Sequence, residues 1–180
     1  MRYVVTGGAG FIGSHVVEHL LKDKKNIVSV IDNFSTGNRD NIKSFKNNIN
    51  FVKADIAKKG NWQNLFNNVD YVFHLAAQSY PKTSFSSPIE TLQTNIIGTT
   101  NLLEVIRKSK SNPIIHVCAS SEIFGRVKKE HLPIGEDVTF HPASPYAISK
   151  VGTDLIGRFY GEAYNMNVMT TRMFTHTGPR

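Results

Sequence analysis

The stretch Tyr3-Val4-Val5-Thr6-Gly7-Gly8-Ala9-Gly10-Phe11-Ile12-Gly13 decides the fold. A short apolar run leads into glycines at spacing three (Gly7, Gly10, Gly13), and a helical pattern follows. Such a strand–turn–helix lets backbone approach a pyrophosphate where a side chain would block it. The helix start adds free N–H groups and the positive end of the dipole. Gly8, Gly10 and Gly13 also fit the G-x-G-x-x-G spacing, so spacing alone does not choose between two variants of the turn. Asp32 is a second signal. It lies 19 residues past Gly13, closing the apolar run Ile27-Val28-Ser29-Val30-Ile31. An acceptor for a ribose 2′-hydroxyl belongs there.

Working outward, apolar runs alternate with helical patterns along the whole chain. Strands are predicted at 2–6, 27–31, 49–53, 70–75, 113–119 and 167–173, and helices at 12–24, 61–67, 88–109 and 145–164. Near-continuous apolar strands alternating with helices imply an α/β fold: a doubly wound parallel sheet of about six strands, the Rossmann arrangement, in a single domain over residues 1–180. Ser87-Pro88-Ile89-Glu90 reads as a capping box, and Ser144-Pro145 as a second serine–proline helix start. Apolar residues at helical spacing, such as Val151, Leu155 and Phe159, are expected to pack on the sheet. The stretch 122–143, with Gly125, Pro133, Gly135 and Pro142, reads as a functional loop over the site. Ligands of such folds bind at the carboxyl ends of the strands.

The bulk numbers narrow the class. The 180 residues suffice for one substantial core. No apolar run approaches the ~18 residues of a membrane span, and the N-terminus lacks a signal-peptide layout. The single cysteine, Cys118, cannot form an internal disulfide, which fits a cytoplasmic setting. The net charge of +7 is spread evenly, with 11 basic and 7 acidic residues in 1–90 and 10 and 7 in 91–180. Without a basic stripe interleaved with aromatics, no nucleic-acid partner is expected. An anionic nucleotide substrate accounts for a mildly basic protein. No metal site is expected.

Chemistry is expected from two segments. Ser120-Ser121-Glu122 follows the fifth strand, and Tyr146-Ala147-Ile148-Ser149-Lys150 opens the next helix with Tyr146 and Lys150 on one face. A tyrosine titrates near 10, so service as a base near pH 7 needs ~4 kcal/mol of phenolate stabilisation. A lysine within ~4–6 Å and an oxidised nicotinamide both push that way. Ser120 would bridge a substrate oxygen and Tyr146, leaving a base to take a proton as hydride departs from the same carbon.

These segments, with Thr6–Gly13, Asp32–Gly37, Asp55-Ile56, His74-Leu75-Ala76-Ala77, Asn95–Thr99 and Arg172–Pro179, resemble the extended short-chain dehydrogenase/reductase family of nucleotide-sugar epimerases and dehydratases over the whole chain. The resemblance implies NAD as cofactor. Gly7, Gly10, Phe11, Ile12 and Gly13 would face the pyrophosphate, Asp32 and Asn33 the adenosine ribose, and Asp55 and Ile56 the adenine. Leu75, Ala76 and Ala77 would line the cofactor path, with Asn95 and Phe174 near it. Ser120, Tyr146 and Lys150 would be the catalytic triad.

Within that family, Ala76-Ala77-Gln78-Ser79 with Ser84-Phe85, and Ser-x-Glu at 120–122, look like the GDP-mannose 4,6-dehydratase pattern. Glu122 would then take the C5 proton, and Ser79, Ser120, Ser121 and Thr175 would contact substrate. A UDP-hexose 4-epimerase and a truncated NAD-binding module without turnover are the alternatives, and a similar Ser-Glu pair occurs in nucleotide-sugar decarboxylases. Asp32 would repel a 2′-phosphate, which favours NAD over NADP. Thr175 stands where many relatives have asparagine, and Tyr80-Pro81 departs from the usual continuation. Family members run on into a further small domain that grips the substrate nucleotide, which is expected to be missing from a chain of 180 residues. The resemblance also implies a homodimer through helices 88–109 and 145–164.

Overall fold

Val4, Val5, Val28, Val30, Val72, Ile115 and Val117 have almost no exposed surface, and the strands they belong to lie side by side at the centre of the molecule. In the computed structural model, which describes residues 1–179, the strands are β1 (Arg2–Thr6), β2 (Ile27–Asp32), β3 (Asn50–Lys53), β4 (Tyr71–His74), β5 (Ile114–Cys118) and β6 (Val168–Thr171). They form one all-parallel sheet in the order β3-β2-β1-β4-β5-β6. The chain winds outward both ways from β1, so a crevice opens at the carboxyl ends of β1 and β4, where the order reverses. One face is covered by a core that includes Trp62, Phe66, Leu102, Leu103, Ile106 and Tyr160. The other holds Val17, Ile42 and Phe45.

The helices are α1 (Phe11–Leu20), α2 (Pro81–Ser86), α3 (Pro88–Leu92), α4 (Gly98–Lys108) and α5 (Pro145–Tyr164). The predicted helix at 88–109 is real but interrupted: α3 and α4 are joined by a π-helical turn, Gln93–Ile97. The segment predicted at 61–67 is a 3-10 helix, Asn61–Phe66. Ser144 caps α5, its hydroxyl accepting the Ala147 N–H at 3.0 Å. The capping box predicted at Ser87 does not form. Ser87 also closes α2, its N–H bonding to Thr83 O, and at ψ 61° it lies outside the extended region a cap needs.

Two expectations need correction. Leu155 and Phe159 are half-exposed rather than packed on the sheet. The buried face of α5 is instead small and polar, with Ala147, Ser149, Lys150, Thr153, Asp154, Gly157 and Tyr160. The periodicity was right and the side was wrong, because the sheet-facing stripe is occupied by hydrogen-bonding groups. The stretch after Glu122 does not cover the crevice either. Ile134, Gly135, Glu136 and Asp137 line a second cavity of about 770 Å³, beside α5 and β6. There the buried Asp154 carboxylate accepts Arg158 Nε at 2.8 Å and Arg172 Nε at 2.9 Å, and Arg172 donates on to the Glu136 carbonyl. Arg172 therefore ties the loop to α5 on that side.

A buried polar chain crosses the apolar interior. Thr6 Oγ1 lies 2.8 Å from His74 Nδ1, and His74 Nε2 lies 2.9 Å from Thr99 Oγ1. Burial pushes the His74 pKa down to about 3, with the Lys150 ammonium the next cause. In the unfolded chain the group returns to about 6.5. Above 6.5 neither state is protonated there. Between 6.5 and 3 only the unfolded chain takes the proton, so the folded state loses about 1.4 kcal/mol per pH unit from this group. The stability difference between the parent and His74→Gln should therefore shrink as pH falls through that window in urea melts. A difference independent of pH would refute the linkage.

Candidate active site

The glycine turn is shaped by its own packing. Gly7 has φ +73°, and a Cβ there would lie 2.7 Å from the Ala76 nitrogen. A Cβ on Gly13 would strike the Gly7 carbonyl. Gly10 differs, because the Gly7 oxygen at 3.2 Å is the single atom within 4 Å of its would-be Cβ. The space left by its missing side chain opens on the crevice. Gly10 also sits at the N-cap of α1, without a side-chain cap, so the N–H groups of the first turn have no carbonyl one turn back. Bare backbone, an open cradle and a helix start fit a phosphate group.

The crevice at the switch point has a volume of about 820 Å³. Of the residues expected to hold cofactor, Gly7, Gly10, Phe11, Ile12, Gly13, Asp32, Asn33, Asp55, Ile56, Leu75, Ala76, Ala77, Tyr146, Lys150 and Phe174 all line it, and so do Ser79, Ser120, Ser121, Glu122 and Thr175. Asp32 is nearly buried, with one carboxylate oxygen accepting Ala9 N–H at 2.9 Å and the other Phe34 N–H at 2.8 Å. Its remaining lone pairs are available to a ribose hydroxyl. Asp55 turns back on its own loop, accepting Ala57 N–H at 2.9 Å.

Asn95 is the exception. It is 2 % exposed and lies beneath the wall rather than in it. Its carboxamide accepts Gln78 N–H at 2.8 Å and donates to Gln78 O at 3.0 Å and to Ser149 Oγ at 2.8 Å. Every polar atom of the side chain is used within the protein. Asn95 positions the Ala76–Ser79 strip.

Sequence reasoning missed lining residues too. Ser35, Thr36, Asn38 and Asn41 line the crevice, where Asn38 N–H and Asn41 Nδ2 both donate to Ala9 O. The polar run just after Asp32 was the available signal. Thr94, Cys118, Met173 and His176 also line it and carry no sequence signal of their own.

The catalytic candidates converge from two elements. Ser120 ends the β5 segment, and its Oγ accepts Glu122 N–H at 3.2 Å, opening the 3-10 turn Ser121–Phe124. Tyr146 and Lys150 lie one turn apart on α5. Lys150 Nζ donates to Cys118 O at 2.8 Å and stands 5.9 Å from the centre of the Tyr146 ring. The expected lowering of the tyrosine pKa is not delivered by these residues. Burial holds the Tyr146 pKa above its ordinary value; the Ser120 hydroxyl acts the other way, while Cys118 and the Glu122 carboxylate add to the rise. Burial likewise lowers the Lys150 pKa. Lys150 donates to a carbonyl, and desolvation of the phenolate outweighs the Ser120 hydrogen bond.

Comparison with known proteins agrees with this geometry. A family model described as GDP-mannose 4,6 dehydratase matches residues 4–180. A putative UDP-glucose 4-epimerase of Methanocaldococcus jannaschii is 37% identical over 89% of this chain and 52% of its own length. The dTDP-glucose 4,6-dehydratase of Salmonella typhimurium is 34% identical over 99% of this chain and 55% of its own. Among solved structures, the dTDP-glucose 4,6-dehydratase DesIV of Streptomyces venezuelae, crystallised with NAD bound, superposes with a TM-score of 0.87 at 33% identity, covering 96% of this chain and 55% of that one. The chain spans about half the length of the curated relatives it matches. With the strand order, the glycine turn and the Ser120–Tyr146–Lys150 grouping in place, the chain belongs to the extended short-chain dehydrogenase/reductase family of nucleotide-sugar dehydratases and epimerases.

Proposed function

We propose that this chain is the cofactor-binding and catalytic part of an NAD-dependent nucleotide-sugar 4,6-dehydratase. The observation that carries the reading is Glu122. It lines the same crevice as Tyr146 and lies close enough for its charge to raise the tyrosine pKa. A 4-epimerase has no need of that carboxylate; a dehydratase needs a base for the C5 proton.

Gly7, Gly10 and the first turn of α1 hold the pyrophosphate in this reading, Asp32 and Asn33 the ribose, and Leu75–Ala77 the path to the reacting end. Asp32 faces the ribose with a negative charge, which favours NAD over a cofactor carrying a 2′-phosphate. NAD bound there supplies a hydride acceptor and a positive ring. Tyr146 takes the proton of the sugar C4 hydroxyl, passed across the Ser120 hydroxyl. Lys150 stands beside it and holds the Cys118 carbonyl in place. Glu122 removes the C5 proton once C4 is a ketone and passes it to the C6 hydroxyl, which leaves as water; the hydride taken from C4 would then return to C6 with a proton to C5, so that the net change is the loss of one water. Ser79, Ser121 and Thr175 contact the sugar.

GDP-mannose is the substrate we favour, on the Ser79, Ser84-Phe85 and Glu122 pattern and the family model. dTDP-glucose is the second reading, since curated relatives matching 99% of this chain carry that name. Incubation with GDP-mannose, dTDP-glucose and UDP-glucose, followed by mass spectrometry, decides. Loss of one water supports the dehydratase, and an unchanged mass with a new sugar supports the epimerase. No turnover with NAD still bound leaves a binding module.

The working form is proposed to be a cytoplasmic homodimer. Ile89, Ile97, Ile148, Leu155 and Phe159 are each about half-exposed or more on the helices expected to pair. Sedimentation should give twice the 20.1 kDa chain mass, and Phe159→Glu should halve it. A parent that sediments as a monomer would sink this assignment.

A further inference from the structure

His74 is not among the residues that line the crevice, yet its two hydrogen bonds, to Thr6 and Thr99, lead toward different parts of the wall. The Thr99 hydroxyl has one proton, donated to the Asn95 carbonyl at 2.6 Å. At 2.9 Å from His74 Nε2 it therefore accepts, and Nε2 carries the ring proton. That leaves Nδ1 as acceptor, so Thr6 Oγ1 donates to it at 2.8 Å while accepting Ala76 N–H at 3.1 Å. The direction of every bond is forced. The chain runs from Ala76 N–H through Thr6, His74 and Thr99 to the Asn95 carbonyl, and Thr153 Oγ1 of α5 lies 3.1 Å from that oxygen, its one proton shared between it and the Ser149 carbonyl at 3.0 Å.

The strip Ala76–Gln78 is thereby pinned at both ends by groups outside the crevice. Thr6 holds Ala76 at one end, and the Asn95 carboxamide holds both backbone groups of Gln78 at the other. Ala76 and Ala77 are crevice wall, and Ala76 abuts Gly7 of the glycine turn. Beyond Asn95 the contacts continue to Ser149 Oγ and from there to the Tyr146 carbonyl at 2.6 Å. A neutral imidazole offers an acceptor and a donor on separate edges of one rigid ring. A side-chain amide offers both at one end of a flexible arm. The ring thus acts as a spacer of set length between two pins.

We propose that His74, with Thr6 and Thr99, is a positioning residue that sets the spacing between the glycine turn and the tyrosine-bearing helix α5. The proposal rests on the NAD reading above for one of its two readouts only.

The test uses the 180-residue chain. NAD affinity is read by calorimetry, and the titration of Tyr146 by the tyrosine Cζ resonance that disappears in Tyr146→Phe. His74→Phe keeps the ring and removes both bonds. It should weaken NAD binding about tenfold, and shift the Tyr146 midpoint by about one unit. The near-isosteric threonine variants separate the two ends. Thr6→Val should weaken NAD binding with little change in the Tyr146 midpoint, and Thr99→Val the reverse. A network that served stability alone would lower the melting temperature in all three without that split. Unchanged affinity and midpoint in a folded His74→Phe, or the same pattern from both threonine variants, would overturn the proposal. If His74→Phe fails to fold, the threonine pair decides. Failure of the parent to bind NAD would sink the cofactor reading, while the Tyr146 midpoints still judge the positioning role.

Discussion

Tyr146→Phe should cut turnover by a factor of about 10²–10⁴ while leaving NAD affinity nearly unchanged. The phenol is the hydroxyl placed with Ser120 and Lys150 at the end of the crevice, and phenylalanine keeps the ring that fills its buried position. Only the proton-accepting group is lost. The titration of Tyr146 gives a second check. In the chain alone burial holds its pKa up, and Lys150 is committed to the Cys118 carbonyl. A positive nicotinamide stabilises the phenolate, so NAD should move the midpoint downward. The bound protein then gains its phenolate at lower pH, and activity should rise with pH through the lowered midpoint. A midpoint unmoved by NAD, or turnover that survives in Tyr146→Phe, would remove Tyr146 from the mechanism.

The second large effect is expected from Gly13→Ala, where two principles predict opposite signs. Gly13 lies in the first turn of α1 with an ordinary helical backbone, and by propensity alanine there should stabilise by about 1 kcal/mol. Sterics disagree. The new Cβ would strike the Gly7 carbonyl and lie 2.8 Å from the Gly7 carbon and the Gly8 Cα, all backbone atoms that no rotamer change can move. Overpacking of this kind costs about 1–3 kcal/mol or more, so sterics win. The variant should melt lower and lose NAD binding at least about tenfold, about 1.4 kcal/mol. Gly10→Ala is the contrast. Its Cβ meets little protein but points into the crevice, so it should fold normally and still bind NAD poorly. Unchanged melting in Gly13→Ala, or unchanged affinity in Gly10→Ala, would refute this account of the turn.

Much of this was legible in the residues. The six strands fell where apolar runs were near-continuous, because both faces of a parallel sheet are covered. Most of the candidate residues that line the crevice came from motifs that follow those strands directly, where the fold opens the crevice, whereas Tyr146 and Lys150 came from their spacing at the start of α5. Asn95 escaped this logic. Its side chain points inward from a π-helical turn, and nothing in the local pattern announces that turn. The polarity of α5 escaped it as well. Apolar periodicity located a stripe, but a stripe does not say which way it faces when the buried side is held by hydrogen bonds.

The sequence by itself determined the sheet, the glycine turn and which groups are the candidates for reaction, since each rests on local spacing and on chemistry carried by single residues. The tertiary structure decided what those groups experience. Whether Lys150 serves Tyr146 or a carbonyl, whether Asn95 meets ligand or backbone, and whether the 122–143 loop covers the crevice or braces Arg172 depend on contacts between residues far apart in the chain. Desolvation and hydrogen-bond competition are properties of the assembled neighbourhood, and no window of sequence contains them.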